Sequence, residues 1–234
     1  MKIFAHRGCS GDYPENTLAA FRAARELPIE GIELDVHLSR DGELMVIHDE
    51  SVDRTTDGSG FVKDMMSEEL RMLDAGIWKG EAFANERIPF LSEVLELFKD
   101  TTHVVNIELK SDIFPYEGMA DRVLRLVDTF QMRDRVILSS FDHETIAYVA
   151  KIYPDVETAA LTMEVLMDVP AYLKRLGVSS AHVFFPTAFR RMGHELKAAN
   201  YPVRAYTVNE VAYADMLRKV GIDAIFTDYP ERFL

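Results

Sequence analysis

Two acidic residues, Glu33 and Asp35, stand in the run from Gly31 to Ser39, where Ile32, Leu34, Val36 and Leu38 alternate with Glu33, Asp35, His37 and Ser39. A period of two is the pattern of a strand. On a strand Glu33 and Asp35 point the same way, with Cβ atoms about 7 Å apart. Like charges held together beside apolar neighbours are costly unless something offsets them. A divalent cation does so, and hard carboxylate oxygens suit Mg2+ or Ca2+ better than softer metals. A solvated strand face is the competing reading of this pair taken alone. Asp41-Gly42 then reads as a tight turn, and Glu43 to Asp49 as a second strand carrying His48 at its end.

Further residues of reactive type close other apolar runs. His6-Arg7-Gly8 follows the short run Ile3 to Ala5, and Asn106, Glu108 and Lys110 alternate along a third. Three carboxylates with one or two waters make a magnesium or calcium shell. Arg7 offers forked donors suited to a phosphate, and Lys110 a compact charge. His6 and His48 suit acid–base work near neutral pH. Each residue also has a plainer reading. A histidine at a strand end is commonly just hydrogen-bonded, Glu108 and Lys110 can form a structural ion pair, and Arg7 can cap a rim. Asn16 can satisfy backbone donors at a helix start. Only convergence at one place argues for chemistry, and that depends on the elements that carry these residues.

The first strand runs from Ile3 to Ala5, and Glu15 to Leu27 reads as a helix with Leu18, Phe21 and Ala24 on one face. After the strand pair at 31–39 and 43–49, residues 51–89 are irregular, with one short helix near Ser67 to Leu73. This stretch reads as an insertion after the second strand. From Pro89 onward strands at 104–110, 136–141, 157–161, 181–185, 203–208 and 224–227 alternate with helices at 91–98, 119–130, 143–152, 171–176, 189–199 and 210–220. Counting 43–49 as an extension of the second strand, eight strands separated by helices imply an α/β fold, a TIM-type (β/α)8 barrel, with 1–234 as one catalytic domain. An open doubly wound sheet is the runner-up, but no glycine-rich phosphate turn follows the first strand. Asp228-Tyr-Pro leaves little room for an eighth helix. Barrel chemistry belongs at the carboxyl ends of the strands, and that rule gathers His6, Arg7, Glu33, Asp35, His48, Glu108 and Lys110 at one mouth.

Composition narrows the partners. The chain has 234 residues, 48% of them hydrophobic and 28% charged, as expected of a core-forming protein of one barrel's size. A formal net charge of −13 argues against nucleic acid or an anionic membrane surface. Any anionic substrate must meet local positive charge. The single cysteine, Cys9, forbids an intramolecular disulfide and fits a reducing compartment. No secretory leader or membrane-length apolar run is visible, so a cytoplasmic protein without a membrane anchor is expected. Nothing specifies an oligomeric state.

Taken in order, His6-Arg-Gly with Pro14-Glu-Asn-Thr-Leu, Glu33-Leu-Asp-Val, His48-Asp, Glu108-Leu-Lys110, Ser140-Phe-Asp142, Thr207-Val-Asn209 and Thr227-Asp-Tyr-Pro230 span nearly the whole chain. This set resembles the glycerophosphodiester phosphodiesterase family. The resemblance implies a metal-dependent hydrolase that cleaves small-molecule glycerophosphodiesters to glycerol 3-phosphate and an alcohol. It implies one divalent cation, Mg2+ or Ca2+, on Glu33, Asp35 and Glu108, with His6 and His48 as the acid–base pair. Arg7 and Lys110 would hold the phosphate, and Phe141 and Tyr206 would line the substrate. The residue before Thr207-Val-Asn209 is commonly tryptophan in the family and is Tyr206 here, which bears on the substrate wall and not on the chemistry. The implied mechanism is attack by the neighbouring glycerol hydroxyl through a cyclic phosphate.

Three other readings are separable. A lysophospholipid-cleaving relative would share the core chemistry, although secreted lipid-active relatives generally carry a signal sequence and disulfides. A glycoside hydrolase would use Glu33 and Glu108 as its carboxylate pair, would not need Arg7, Lys110 and two histidines, and would survive a chelator. A non-catalytic phosphate-binding barrel would not need both histidines beside three carboxylates.

Overall fold

The computed structural model describes residues 1–234. Nine strands form one sheet: β1 (Lys2–His6), β2 (Gly31–Leu38), β3 (Leu44–Val46), β4 (Val104–Leu109), β5 (Val136–Ser140), β6 (Glu157–Thr162), β7 (Ser180–Phe184), β8 (Val203–Tyr206) and β9 (Ala224–Thr227). Eight of them run parallel, and β1 pairs with both β9 and β2, so the sheet closes into a barrel. The ninth, β3, pairs antiparallel with the end of β2, setting Val36 opposite Val46. The helices are α1 (Leu18–Arg25), α2 (Ser67–Met72), α3 (Leu91–Phe98), α4 (Met119–Thr129), α5 (His143–Ile152), α6 (Val169–Leu176), α7 (Phe185–Ala188), α8 (Arg191–Ala198) and α9 (Val211–Lys219). No helix is long and apolar enough to cross a membrane.

Alternation along the strands produces two cores. Outward residues such as Ile32, Leu34, Val36, Val105, Ile107 and Leu138 pack with the helices in a large buried cluster. Inside the barrel Phe4, Ile137, Ala159, Ala224 and Phe226 form a second, small one. Beneath it Arg204 Nη1 donates to Glu157 Oε1 at 2.7 Å, with the guanidinium over the Phe4 ring. All eight residues of β2 are buried. A parallel strand covered on both faces usually reads as continuously apolar. The alternation of β2 therefore records a polar barrel interior.

Several bounds differ from the sequence expectation, each for a local reason. The helix expected over 15–27 starts at Leu18, because Thr17 is its N-cap and Asn16 turns away to Asp35. Asn16 thus does not cap the helix. The strand expected over 43–49 ends at Val46, whose N–H donates to Pro89 O, so His48 and Asp49 lie in the loop beyond. The helix expected over 189–199 is α8 and starts only at Arg191, because Arg190 is extended, and the separate short helix α7 precedes it where the strand expected over 181–185 ends at Phe184. The place of an eighth helix is taken by a short 3₁₀ turn at Pro230–Phe233.

The segment between β3 and α3 holds α2 and two 3₁₀ turns around its own core of Met45, Ile47, Val52, Val62, Leu70, Ala75 and Ile88. Lys79 ties it to the β1–α1 loop, donating to the carbonyls of Ser10 and Gly11 at 2.8 Å each.

Candidate active site

Strand register brings the acidic residues together. Asp35 of β2 is paired with Glu108 of β4, and Glu33 with His6 of β1 on the other side. Glu33, Asp35 and Glu108 each offer a carboxylate oxygen, and these oxygens lie within 4.8 Å of one another. All three residues are buried. Glu33 Oε2 accepts the backbone N–H of Arg7 at 2.9 Å, whereas the buried Glu33 Oε1 has no hydrogen-bond partner. Asp35 Oδ2 accepts from Asn16 Nδ2 at 2.9 Å and lies 3.2 Å from Arg7 Nε, which is misdirected for a hydrogen bond. Lys110 Nζ donates to Glu108 Oε1 at 2.9 Å.

Electrostatics agree with a site short of positive charge. Burial, with Asp35 and Glu108 alongside, pushes the Glu33 carboxyl well above its usual range. Burial raises Glu108 too, outweighing Lys110. Burial alone would also raise Asp35, but His48, Arg7 and Lys110 hold it below its usual range. Lys110 stays charged, because Glu108 and Asp35 overcome its desolvation. Three carboxylates this close repel one another, and a further cation among them favours their ionised forms. An orphaned buried carboxylate oxygen and an all-oxygen donor set fit a hard divalent ion.

Each histidine is backed by a carboxylate. His6 Nδ1 lies 2.7 Å from Asp228 Oδ1, and its Nε2 faces Glu33 Oε2 at 4.0 Å. Asp228 is fixed in turn by Asn209 Nδ2 at 2.7 Å and Ser10 Oγ at 3.0 Å. His48 Nδ1 lies 2.6 Å from Asp49 Oδ1. The His48 carbonyl accepts from His37 Nε2 at 3.0 Å, so His37 carries its proton there and takes the Tyr116 hydroxyl on Nδ1 at 3.2 Å. Both catalytic candidates thus have Nδ1 occupied and Nε2 left for a substrate proton.

The turn that presents Arg7 is tight. Arg7 and Gly8 both have positive φ, and a Cβ on Gly8 would meet Ala20 at 2.7 Å, so helix α1 can approach only a glycine. The left-handed Arg7 is an unusual conformation at a site where its backbone and side chain both contact buried acidic side chains.

A cavity of about 520 Å³ opens over this cluster. His6, Arg7, Glu33, His48, Glu108 and Lys110 line its polar side. Phe141, Leu161, Met163, Phe184 and Tyr206 make the opposing wall. Phe141 and Tyr206 meet edge to face at 6.0 Å, and the Tyr206 hydroxyl donates to Thr162 O at 2.9 Å.

Residues 6–232 match the sequence profile of the Glycerophosphoryl diester phosphodiesterase family. The chain belongs to this family. It is 42% identical over 232 residues to a glycerophosphodiester phosphodiesterase of Caldanaerobacter subterraneus subsp. tengcongensis, covering 99% of this chain and 96% of the relative. A glycerophosphodiester phosphodiesterase of Bacillus altitudinis is also 42% identical, over 234 residues, with 99% and 96% covered. Among solved structures, a phosphodiesterase of Oleispira antarctica in complex with the product sn-glycerol-3-phosphate superposes with a TM-score of 0.88 at 32% identity, covering 99% of this chain and 94% of that one. A glycerophosphodiester phosphodiesterase of Agrobacterium tumefaciens gives 0.84 at 30% identity, with 100% and 98% covered.

The chain is therefore an enzyme, a phosphoric diester hydrolase on a TIM-type barrel, as its sequence motifs imply. The glycoside hydrolase and the non-catalytic barrel are set aside by the same match. Every site residue expected from sequence lies at one mouth: all line the cavity except Asp35, which sits behind it, 1% exposed. The sequence does not single out as site residues those that back them: Asp228, Asp49, Glu15, Asn16, Asn209 and His37. Most of them stand inside the quoted motifs, so the signal was present, but their partners are as far as 222 residues away in the chain.

Proposed function

We propose that this phosphodiesterase hydrolyses glycerophosphodiesters of small alcohols to glycerol 3-phosphate and the alcohol, in the cytoplasm, with a divalent cation, by way of a cyclic phosphate. The observation that carries the reading is the junction of a buried carboxylate trio with two carboxylate-backed histidines at one cavity. Glu33, Asp35 and Glu108 would hold the cation, Mg2+ or Ca2+. When bound, it supplies Lewis-acid charge against the phosphate.

The remaining work falls to side chains. Arg7 and Lys110 stand on the cavity wall and neutralise the single negative charge that a phosphodiester spreads over its two non-bridging oxygens. Their own carboxylate partners limit how far each can swing, which favours a fixed phosphate position. His6 Nε2 takes the proton of the glycerol hydroxyl next to the ester, while Asp228 on Nδ1 stabilises the imidazolium that forms. The freed oxygen attacks phosphorus, and His48 Nε2 gives a proton to the departing alcohol oxygen. In the second step the roles reverse: His48 deprotonates water, and His6 protonates the glycerol oxygen as the ring opens. Phe141 and Tyr206 exclude water beside the leaving group.

The test compares glycerophosphocholine with its analogue lacking the attacking hydroxyl, both with Mg2+ or Ca2+ and with chelator. The expected outcome is turnover of the first alone, abolished by chelator and restored by the ion. The analogue should still bind, because Arg7 and Lys110 contact only phosphate. Loss of an intramolecular nucleophile forfeits an effective molarity worth up to about 7–11 kcal/mol. Comparable rates for the two diesters would mean that water attacks directly. Full activity in chelator would remove the cation.

A further inference from the structure

Arg54 lies in the segment between β3 and α3, and its side chain is half-exposed. Four of its N–H groups are nonetheless committed to two carboxylates. Nε donates to Asp49 Oδ2 at 2.7 Å and Nη2 to Asp49 Oδ1 at 3.0 Å. Nη1 donates to Glu15 Oε2 at 2.8 Å and Nη2 also to Glu15 Oε1 at 2.8 Å. Each carboxylate is held as well from the other side by a residue of the cavity. Asp49 Oδ1 is 2.6 Å from His48 Nδ1, and Glu15 Oε1 accepts from Arg7 Nη1 at 2.8 Å. One guanidinium therefore joins the partner of His48 to the partner of Arg7, across two separate segments of chain.

We infer that Arg54 is a positioning residue: through Asp49 it fixes the ring of His48, and through Glu15 it fixes the guanidinium of Arg7. The assignment rests on the roles proposed above for His48 and Arg7. A planar fork is what the geometry demands, because two carboxylates are gripped in pairs along two edges of one group. A lysine carries the same charge as a compact point and cannot grip both. Without the fork, Asp49 and Glu15 become two facing anions that repel, and each is free to turn away from its cavity partner. A displacement of about 1 Å at a reacting group can lower turnover on the order of 10²-fold.

A charge-only or merely stabilising role is separable by an internal control. Arg133, in the 3₁₀ turn before β5, also bridges two carboxylates, Asp128 and Asp155, but away from the cavity. Arg54→Lys, Arg54→Ala and Arg133→Ala are compared for thermal unfolding and for kcat and KM on glycerophosphocholine with the divalent ion, alongside His48→Ala. Arg54→Lys and Arg54→Ala should both remain folded and both lose kcat by roughly 10- to 100-fold, with KM raised by the loosened Arg7. Arg133→Ala should leave both constants unchanged. Millimolar guanidinium should restore part of the turnover of Arg54→Ala and none of that of His48→Ala. If Arg54→Lys keeps the wild-type kcat and KM while His48→Ala is inactive, the positioning role is overturned and the proposed function stands. A kcat of Arg54→Ala reduced no further than that of Arg133→Ala overturns it equally, and so does a reduced kcat that millimolar guanidinium leaves unrestored. A wild-type protein without turnover on any glycerophosphodiester removes the proposed function and this role with it.

Discussion

His6 and Asp228 show what a single hydrogen bond decides. The pair at 2.7 Å directs the His6 proton to Nδ1 and leaves Nε2 basic toward the cavity. Asp228→Asn keeps the size and the contact with Ser10, but its amide would donate to Nδ1 and drive the ring proton to Nε2. Turnover should fall by roughly 10²–10⁴-fold, comparably to His6→Ala, with substrate binding little changed. A steady-state comparison of the two variants checks this, and near-normal turnover of Asp228→Asn would return Asp228 to a structural role. The carboxyl itself is pushed down to about 2, since its hydrogen bond and charge interaction with His6 overcome burial. A folded value below the unfolded one, about 3.9, means that Asp228 stabilises the fold above that range. This stability is lost as the pH falls through about 2.

Among the elements, β2 carries the most. Its register against β4 places Asp35 beside Glu108, and its register against β1 places Glu33 beside His6. Gly31 begins the strand, and a Cβ there would lie 2.0 Å from the Val104 carbonyl oxygen. The neighbour is backbone and cannot swing aside, so β2 and β4 would have to part. Gly31→Ala should destabilise by about 1–3 kcal/mol, the usual scale of overpacking. For a chain of this length that is a fall in Tm of roughly 2–4 °C per kcal/mol. Because the carboxylate trio spans this seam, binding of Mg2+ or Ca2+ should weaken in the same variant. Calorimetry of unfolding and of ion binding reads both. An unchanged ion affinity with a lowered Tm would show that the trio does not depend on this register.

At the scale of the whole molecule, the buried carboxylates link stability to pH and, through the proposed site, to the proposed cation. Glu33 in the fold is raised well above its usual range by burial, Asp35 and Glu108. Between the ordinary glutamate value, about 4.3, and the raised one, the folded chain holds a proton that the unfolded chain has released. Stability of the cation-free protein should therefore decline as pH rises through that window. A bound divalent ion takes the place of the proton and should remove the decline. Added Mg2+ or Ca2+ should thus raise Tm at pH 7–8 and do little near pH 4, with about 2.7 kcal/mol gained at a hundredfold excess over Kd. Glu33→Gln should flatten the pH slope without any ion. Thermal unfolding from pH 4 to 8, with chelator and with ion, measures this. An ion effect of equal size at both ends would place the cation elsewhere.

The sequence by itself determined the barrel and which polar residues gather at its mouth. Periodicity does not depend on distant partners: the alternation of Ile32 to Ser39 and of Val105 to Lys110 follows from strand geometry alone, and eight such runs between helices leave few folds to choose from. The rule that barrel chemistry sits at strand carboxyl ends then gathered His6, Arg7, Glu33, Glu108 and Lys110 without any coordinates. Element ends were less legible, because they are set by contacts across the chain. Val46 ends β3 where Pro89 takes its N–H, and Thr17 rather than Glu15 starts α1 because Asn16 is drawn to Asp35. The supporting contacts were decided only by the tertiary structure. Asp228 reaches His6 across the closing seam of the barrel, and Arg54 reaches Asp49 and Glu15 from the segment after β3. A carboxylate or guanidinium carries the same letter whether it faces solvent or a histidine, and only closure of the sheet fixes which.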